Sequence, residues 1–287
     1  MSNTPFLSIL IPTWNNLPYL KFCLDSLKRN TRSTPQVVIH VNDGSDGTLE
    51  WVREQGYDYT HTVRNAGVCE AMNLARTKAR GQYLLYLNDD MYVCPEMDSR
   101  LLARAAKLEA AGVARYMISG TMIEAKDSGN ACTVNADYGH RMEEFRESDL
   151  LADLPKLKRS DWSGSTWPPL LMRRDDWDVV GGFSVEYFPG MYSDPDLSMK
   201  MWLVGCRDYL GVGDAMVYHF PSRSTGRVRH NRGRVQFLRK WGITAKTFDR
   251  YFLKRGEAYR GTLYEPAVEG MYAFRRFVDG AKLRLLR

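Results

Sequence analysis

The stretch Gly81–Val93, GQYLLYLNDDMYV, limits the folds open to this chain more than any other. The apolar and aromatic run from Tyr83 to Leu87 follows a glycine and stops at three polar residues. That is the length and pattern of a short strand covered on both faces, as in a parallel sheet. Asn88, Asp89 and Asp90 then fall at the C-terminal edge of the strand, where open α/β sheets bind ligands. Adjacent carboxylates there repel each other unless a cation or hydrogen-bond donors compensate. Taken alone, the triplet also suits a solvated turn, and the sequence upstream decides between the two.

Two more runs of strand length precede it. Phe6–Ile11, FLSILI, is stopped by Pro12 and the cluster Thr13, Trp14, Asn15 and Asn16, after which Leu17, Leu20, Leu24 and Leu27 recur at helical spacing with Pro18 suited to a first turn. Gln36–Val41, QVVIHV, closes in the polar series Asn42 to Gly47 and leads to a helix over about 48–54. Val63 to Gly67 forms an extended piece and turn before a helix over about 68–80. Such alternation predicts a parallel sheet with helices on its faces and polar loops gathered at one edge. Neither GxGxxG nor GxxxxGK[ST] occurs in the loops, so a dinucleotide fingerprint and a P-loop find no support. The loops carry instead an aromatic, an acid and amides: Trp14 can stack on a nucleobase and Asp43 can accept from a base N–H. The alternatives are a core aromatic at Trp14 and a turn-former at Asp43.

At 287 residues the chain can bury a substantial core. No positively charged segment leads into an apolar one at the N-terminus, and no apolar run approaches the roughly 20 residues that span a bilayer. A cytoplasmic protein is expected, at most peripheral on the inner face of the membrane. Its five cysteines are scattered without CxxC spacing and read as buried free thiols. The net charge of +6 is unevenly spread: from Phe220 onward 17 Lys and Arg face 5 Asp and Glu, net +12, which leaves −6 for the rest. A basic module therefore sits on a mildly acidic body.

SILIPTWNN, VNDGSDGT, RNAGVCEAMNLARTKARGQYLLYLNDD, GGFSVEYF and SDPDLSMKMWLVGCR resemble, in order, the signatures of family 2 glycosyltransferases of the GT-A fold. The resemblance runs from about Leu7 to Gly242. It implies an α/β architecture, a Rossmann-like mixed sheet flanked by helices, with a C-terminal basic helical extension. Residues 1–95 would form the nucleotide-sugar half, 96–220 the acceptor half and 221–287 the basic loop and helices. It also implies a nucleotide-sugar donor, a UDP-sugar first, a hydroxyl acceptor, Mn2+ or Mg2+, and inversion at the anomeric carbon. Thr13, Trp14, Asp43, Arg64 and Asp89 are the implied donor-binding residues, Asp90 and His219 the metal ligands with Asp89 near them, and Asp194 the general base. This chain departs from the pattern at Asn88, where many relatives carry an acid, and at Ser193, where they carry glutamate.

Elsewhere Asp196 reads as structural, and Trp162 and Trp167 as either an acceptor platform or core. Residues 123–159 read as an acceptor-side excursion. Arg227, Arg229 and His230 fall in a Ser-Thr-Gly-rich loop suited to closing over a diphosphate. Met271, Phe274, Val278, Ala281 and Leu285 recur at steps of three and four, which predicts a helix packed on the body or on a second copy, ahead of an anionic membrane. A nucleic-acid-binding protein, or a glycosyltransferase acting on DNA, is the competing reading of the basic quarter. Paired acids also serve glycosidases, but no separate acid is evident here.

Overall fold

The computed structural model describes residues 7–220 and 231–286. Its first part repeats one unit: β1 (Leu7–Trp14) leads into α1 (Leu17–Asn30), β2 (Gln36–Asn42) into α2 (Thr48–Glu54), and β3 (Asp58–Thr62) into α3 (Gly67–Arg76), before β4 (Tyr83–Tyr86). β1 lies between β2 and β4, parallel to both, and β3 is parallel to β2. Every residue of β4 is buried, as an unbroken apolar run between two helical layers requires. Helix α3 stops at Arg76, short of the expected Arg80. The Gln36 side chain accepts from Arg80 N at 2.8 Å and donates to Lys78 O at 3.0 Å, so backbone groups that would continue the helix are held at the foot of β2 instead.

The next part is mixed. β5 (Met91–Val93) follows Asp90 at once, then come α4 (Met97–Ala110), β6 (Tyr116–Glu124), β7 (Val134–Asn135), α5 (Glu147–Leu157), β8 (Trp162–Ser163), β9 (Leu170–Arg173), α6 (Arg174–Val180), α7 (Ser193–Leu203) and β10 (Asp208–His219). The sheet runs β3-β2-β1-β4-β9-β6-β10-β5, with β9 antiparallel to β4 and β6 and β5 antiparallel to β10. The parallel arrangement that the alternation predicts holds for β3-β2-β1-β4, and the whole is the mixed sheet that the family resemblance implies. Leu170–Arg173 runs between β4 and β6 and is antiparallel to both.

Alternate residues of a strand serve opposite faces: Ile9, Ile11 and Leu85 join the core under α1, α2 and α4, while Leu10 and Leu84 join the one under α3, α6 and α7. The second core extends to α8 (Gly233–Trp241), to α9 (Ala245–Thr247) with the π-helical turn Phe248–Phe252, and to α10 (Gly270–Leu285).

Helix α10 docks by a face other than the predicted one. Tyr272 is buried against Tyr251 and Phe252, with ring centroids at 5.0 and 5.8 Å, and Asp279 is buried one and a half to two turns further on. The Asp279 carboxylate accepts from Thr244 N at 2.9 Å, Thr244 Oγ1 at 3.1 Å and Thr247 Oγ1 at 2.6 Å. A buried carboxylate must keep its donors, so this contact orients the helix and turns Met271, Phe274 and Leu285 outward. Asp279→Ala is expected to destabilise the fold by about 2–4 kcal/mol, because three buried donors lose their acceptor. Amide exchange in α10 should accelerate before that of the sheet; exchange as slow as in the parent would refute the anchoring.

Candidate active site

The C-terminal ends of β1, β2 and β4 and the junction of β5, β10 and β6 enclose a cavity of about 510 Å3. Thr13 and Trp14 end β1, Asn42 ends β2, and Asn88, Asp89 and Asp90 follow β4; all six line it. Asp89 is buried and accepts from Thr13 Oγ1 at 2.7 Å, a contact set by the parallel pairing of β1 with β4.

Asp90 is placed by a reversal of the chain. Because β5 starts at the very next residue and pairs antiparallel with β10, Met91 faces His219 and Phe220 N donates to Asp90 O at 3.0 Å. Asp90 Oδ1 therefore lies 3.5 Å from His219 Nε2. On the other side of β10, the parallel register with β6 sets Glu124 opposite His219, and the imidazole Nδ1 meets Glu124 Oε1 at 2.9 Å. An ionised carboxylate only accepts, so Nδ1 carries the proton and Nε2 faces Asp90. Burial pushes the imidazole pKa down, but Asp90 and Glu124 outweigh it and raise it to about 10. The hydrogen bond from His219 holds the Glu124 carboxyl below its ordinary range against the opposing effect of burial. Glu124 was not singled out in the sequence. Its signal is an acid closing the apolar strand YMISGTMIE, the same pattern that marks Asp89 and Asp90.

Asp194 and Asp196 share one helix but not one environment. Tyr192 adopts a left-handed backbone (φ 73), and Ser193 closes the turn by donating to Gly190 O through both N and Oγ, at 3.0 and 2.6 Å. Asp196 is buried and accepts from Ser184 Oγ at 2.6 Å, Trp241 Nε1 at 2.9 Å and Lys240 Nζ at 2.9 Å, the structural role expected of it. Asp194 faces the cavity with no hydrogen bond to its carboxylate among the described residues. Burial raises its pKa to about 7, with Arg255 pulling the other way. The loop before α7 is held by Asn231, whose Nδ2 donates to Tyr187 O and Met191 O at 2.7 and 3.1 Å. It also packs on Gly67 (φ +74), where a Cβ would come within 2.8 Å of the Phe188 ring and 2.9 Å of Pro189 O.

Other expected residues lie elsewhere. Asp43 is left-handed (φ 64) and outside the cavity lining; its carboxylate accepts from Asn15 Nδ2 at 2.9 Å and Ser45 N at 3.2 Å, tying together the loops after β1 and β2. Arg64 is exposed and does not line the cavity. Trp162 and Trp167 are buried and stacked on each other at 5.7 Å, and Trp162 Nε1 donates to Thr121 Oγ1 at 2.9 Å. They form core, which corrects the acceptor-platform reading: neither ring face is open to a sugar. Arg227, Arg229 and His230 lie outside the described residues.

Among the described residues, no group of three or more His, Cys, Asp or Glu side chains is arranged to hold a metal by itself. A two-residue seat does fit one. Among the described residues Asp90 Oδ1 has no hydrogen-bond partner, and it faces His219 Nε2, which can ligate once a cation takes the place of its proton, while Glu124 orients the other ring nitrogen.

Residues 8–155 match the family model described as Glycosyl transferase family 2. The chain belongs to glycosyl transferase family 2. A second similarity extends beyond the matched family 2 segment: protein y4gI of Sinorhizobium fredii is 28% identical over 250 residues, 84% of this chain and 27% of that protein. The glycosyltransferase EpsJ of Bacillus subtilis is 32% identical over 106 residues, 35% of this chain and 30% of that protein. The chain thus spans about a quarter to a third of the length of these relatives. Among solved structures, GalNAc-T7 with UDP, GalNAc and Mn2+ superposes with a TM-score of 0.58 at 14% identity, covering 88% of this chain and 51% of that one. Residues 1–349 of S. aureus TarS with UDP-GlcNAc superpose with a TM-score of 0.57 at 15% identity, covering 82% and 65%. The fold of this family 2 chain is GT-A.

The Asp194 carboxyl is expected to titrate near pH 7 in 13C spectra of aspartate-labelled protein. The folded chain holds that proton more tightly than the unfolded one, so the group's contribution to stability is full below about pH 4 and is lost as pH rises through 7. Asp194→Asn should accordingly flatten the fall of unfolding free energy between those values, and an unchanged slope would place the titration elsewhere.

Proposed function

We propose that this chain transfers a sugar from a nucleotide-sugar donor, a UDP-sugar first, to a hydroxyl acceptor with inversion, and that Asp194 is the general base. One observation carries the reading: the buried Asp89 and Asp90, the oriented His219 and the Asp194 carboxylate line a single cavity. The solved structures of GalNAc-T7 with UDP and Mn2+ and of TarS with UDP-GlcNAc, both of this fold, support the donor class.

Trp14 offers a ring to the nucleobase at the end of β1, and Asp89, held by Thr13, is set to accept from the ribose. Asp90 and His219 are the residues to hold Mn2+ or Mg2+. Glu124 keeps the imidazole turned so that Nε2 faces the seat. Two protein ligands suffice for a hard ion that also takes phosphate and water oxygens. The ion, when bound, supplies positive charge against the diphosphate's growing negative charge.

On the other side of the cavity Asp194 accepts the proton of the acceptor hydroxyl as its oxygen attacks the anomeric carbon. The bond from that carbon to the diphosphate oxygen breaks as the new glycosidic bond forms on the opposite face. Because the leaving diphosphate is stabilised as an anion, no protein acid is required. A carboxyl that titrates near 7 is a stronger base than an ordinary one yet still ionised in half or more of the molecules at neutral pH.

UDP with Mn2+ is expected to raise the melting temperature, and chelator to abolish the rise. Asp194→Asn should bind UDP as the parent does and lose transfer by about 10²–10⁴-fold; joint loss of binding and transfer would count against its role. Asp90→Ala should weaken Mn2+-dependent UDP binding, and Glu124→Gln should do so by about 10–100-fold. A manganese titration untouched by both would remove the metal from this seat. Transfer by the parent should rise with pH on a limb centred near 7.

A further inference from the structure

Helix α10 wears its apolar side outward. Met271, Phe274, Phe277 and Leu285 are 60, 58, 71 and 88% exposed, and with Val278 and Ala281 they recur at steps of three and four along one face. Tyr272 and Asp279, on the opposite face, make the contacts with the body. Isolated exposed apolar residues are ordinary, but a continuous row with two phenylalanines marks an interaction surface.

The charge beside the row says what would cover it. Behind α10, between it and α8 and α9, lies a second cavity of about 400 Å3 lined by Arg234, Lys246, Arg250, Arg275 and Lys282. Asp279 is the one carboxylate in that lining, and its oxygens face Thr244, Thr247 and Lys282. Among the described residues, no carboxylate lies within ion-pairing distance of Arg234, Lys246, Arg250 or Arg275. Arg275 and Lys282 follow Met271 and Val278 by four residues each, so cationic side chains of the cavity neighbour the apolar row on the helix surface. Arg276 and Arg284 add to the same helix.

We propose that α10 and the cation-lined cavity behind it dock on a bilayer bearing anionic phosphate headgroups. The phenylalanines and Met271 enter the boundary between headgroups and acyl chains, and the arginines and lysines take the phosphates. A second copy of this chain fits less well, since joining two such faces would bring like-charged clusters together without a counter-charge. The chain would lie on the bilayer: no helix among the described residues is long and apolar enough to cross it. Tyr192 also lines the basic cavity and directly precedes the turn that presents Asp194, so a docked surface would adjoin the acceptor side of the cleft. The docking itself is independent of the transferase reading.

The test is flotation of the full chain with vesicles, and it reads binding rather than turnover. Vesicles of phosphatidylglycerol mixed into phosphatidylcholine should bind the chain about tenfold or more above pure phosphatidylcholine, with binding falling as salt rises. Phe274→Asp with Phe277→Asp, and separately Arg275→Gln with Lys282→Gln, should each reduce binding by about tenfold with an unchanged urea midpoint, since these side chains are mostly outside the core. Three results would overturn the proposal. They are a parent that ignores anionic vesicles and instead forms a dimer that the aspartate pair dissociates; an aspartate pair that binds vesicles as the parent does; and inorganic phosphate that binds and displaces vesicles with no dependence on the apolar row, leaving a phosphate site only.

Discussion

The antiparallel pairing of the three-residue strand Met91–Val93 with the end of Asp208–His219 is the contact on which the site depends. It turns the chain immediately after Asp90 and brings that carboxylate to His219 across a span of more than a hundred residues. The parallel register on the other edge of the same strand brings Glu124 to the second imidazole nitrogen. Three titratable groups thus meet through backbone hydrogen bonding alone, before any side-chain preference acts. A slip of one residue in either register would send His219 to the opposite face of the sheet and scatter the cluster.

Electrostatics then separates groups of the same chemistry. Asp194 and Asp196 stand on one helix, two residues apart. Asp196 has Lys240, Trp241 and Ser184 as partners and is part of the frame. Asp194, partly buried and without a hydrogen bond to its carboxylate among the described residues, has its pKa raised to about 7 by desolvation. Carboxylates driven apart by their surroundings are how one fold assigns structural and reactive roles. The proposed base is the one that no donor among the described residues reaches. Ser193 is absorbed into the turn through Gly190 O and so helps to set the direction of its neighbour.

The C-terminal helix follows the same logic with the opposite result. A buried aspartate satisfied by Thr244 and Thr247 fixes how α10 sits, and the apolar row is what remains outside. Polar satisfaction decides the orientation because an unmet carboxylate in the interior costs more than several apolar side chains left in water. The cations next to the row give that surface a chemistry.

The strands of the first part, the loops at their ends and the acids at the edge of β4 were legible in the sequence, because strand-length apolar runs and turn residues act locally. Asp196 reads as a frame residue from its place at the start of a helix, and the family resemblance pairs Asp90 with His219, which lie 3.5 Å apart. Glu124 was hidden, since only strand register brings residue 124 to residue 219. Trp162 and Trp167 could not be assigned from sequence: an aromatic beside small polar residues reads alike on a surface and in a core, and it is Gly211 and Thr121 against Trp162, and Trp162 and Arg255 against Trp167, that enclose them. The helical period of α10 was visible, but not which face would turn inward. Periodicity states that a helix has two sides; which one meets the body is decided by the partners waiting there, and here those were two threonines and a tyrosine.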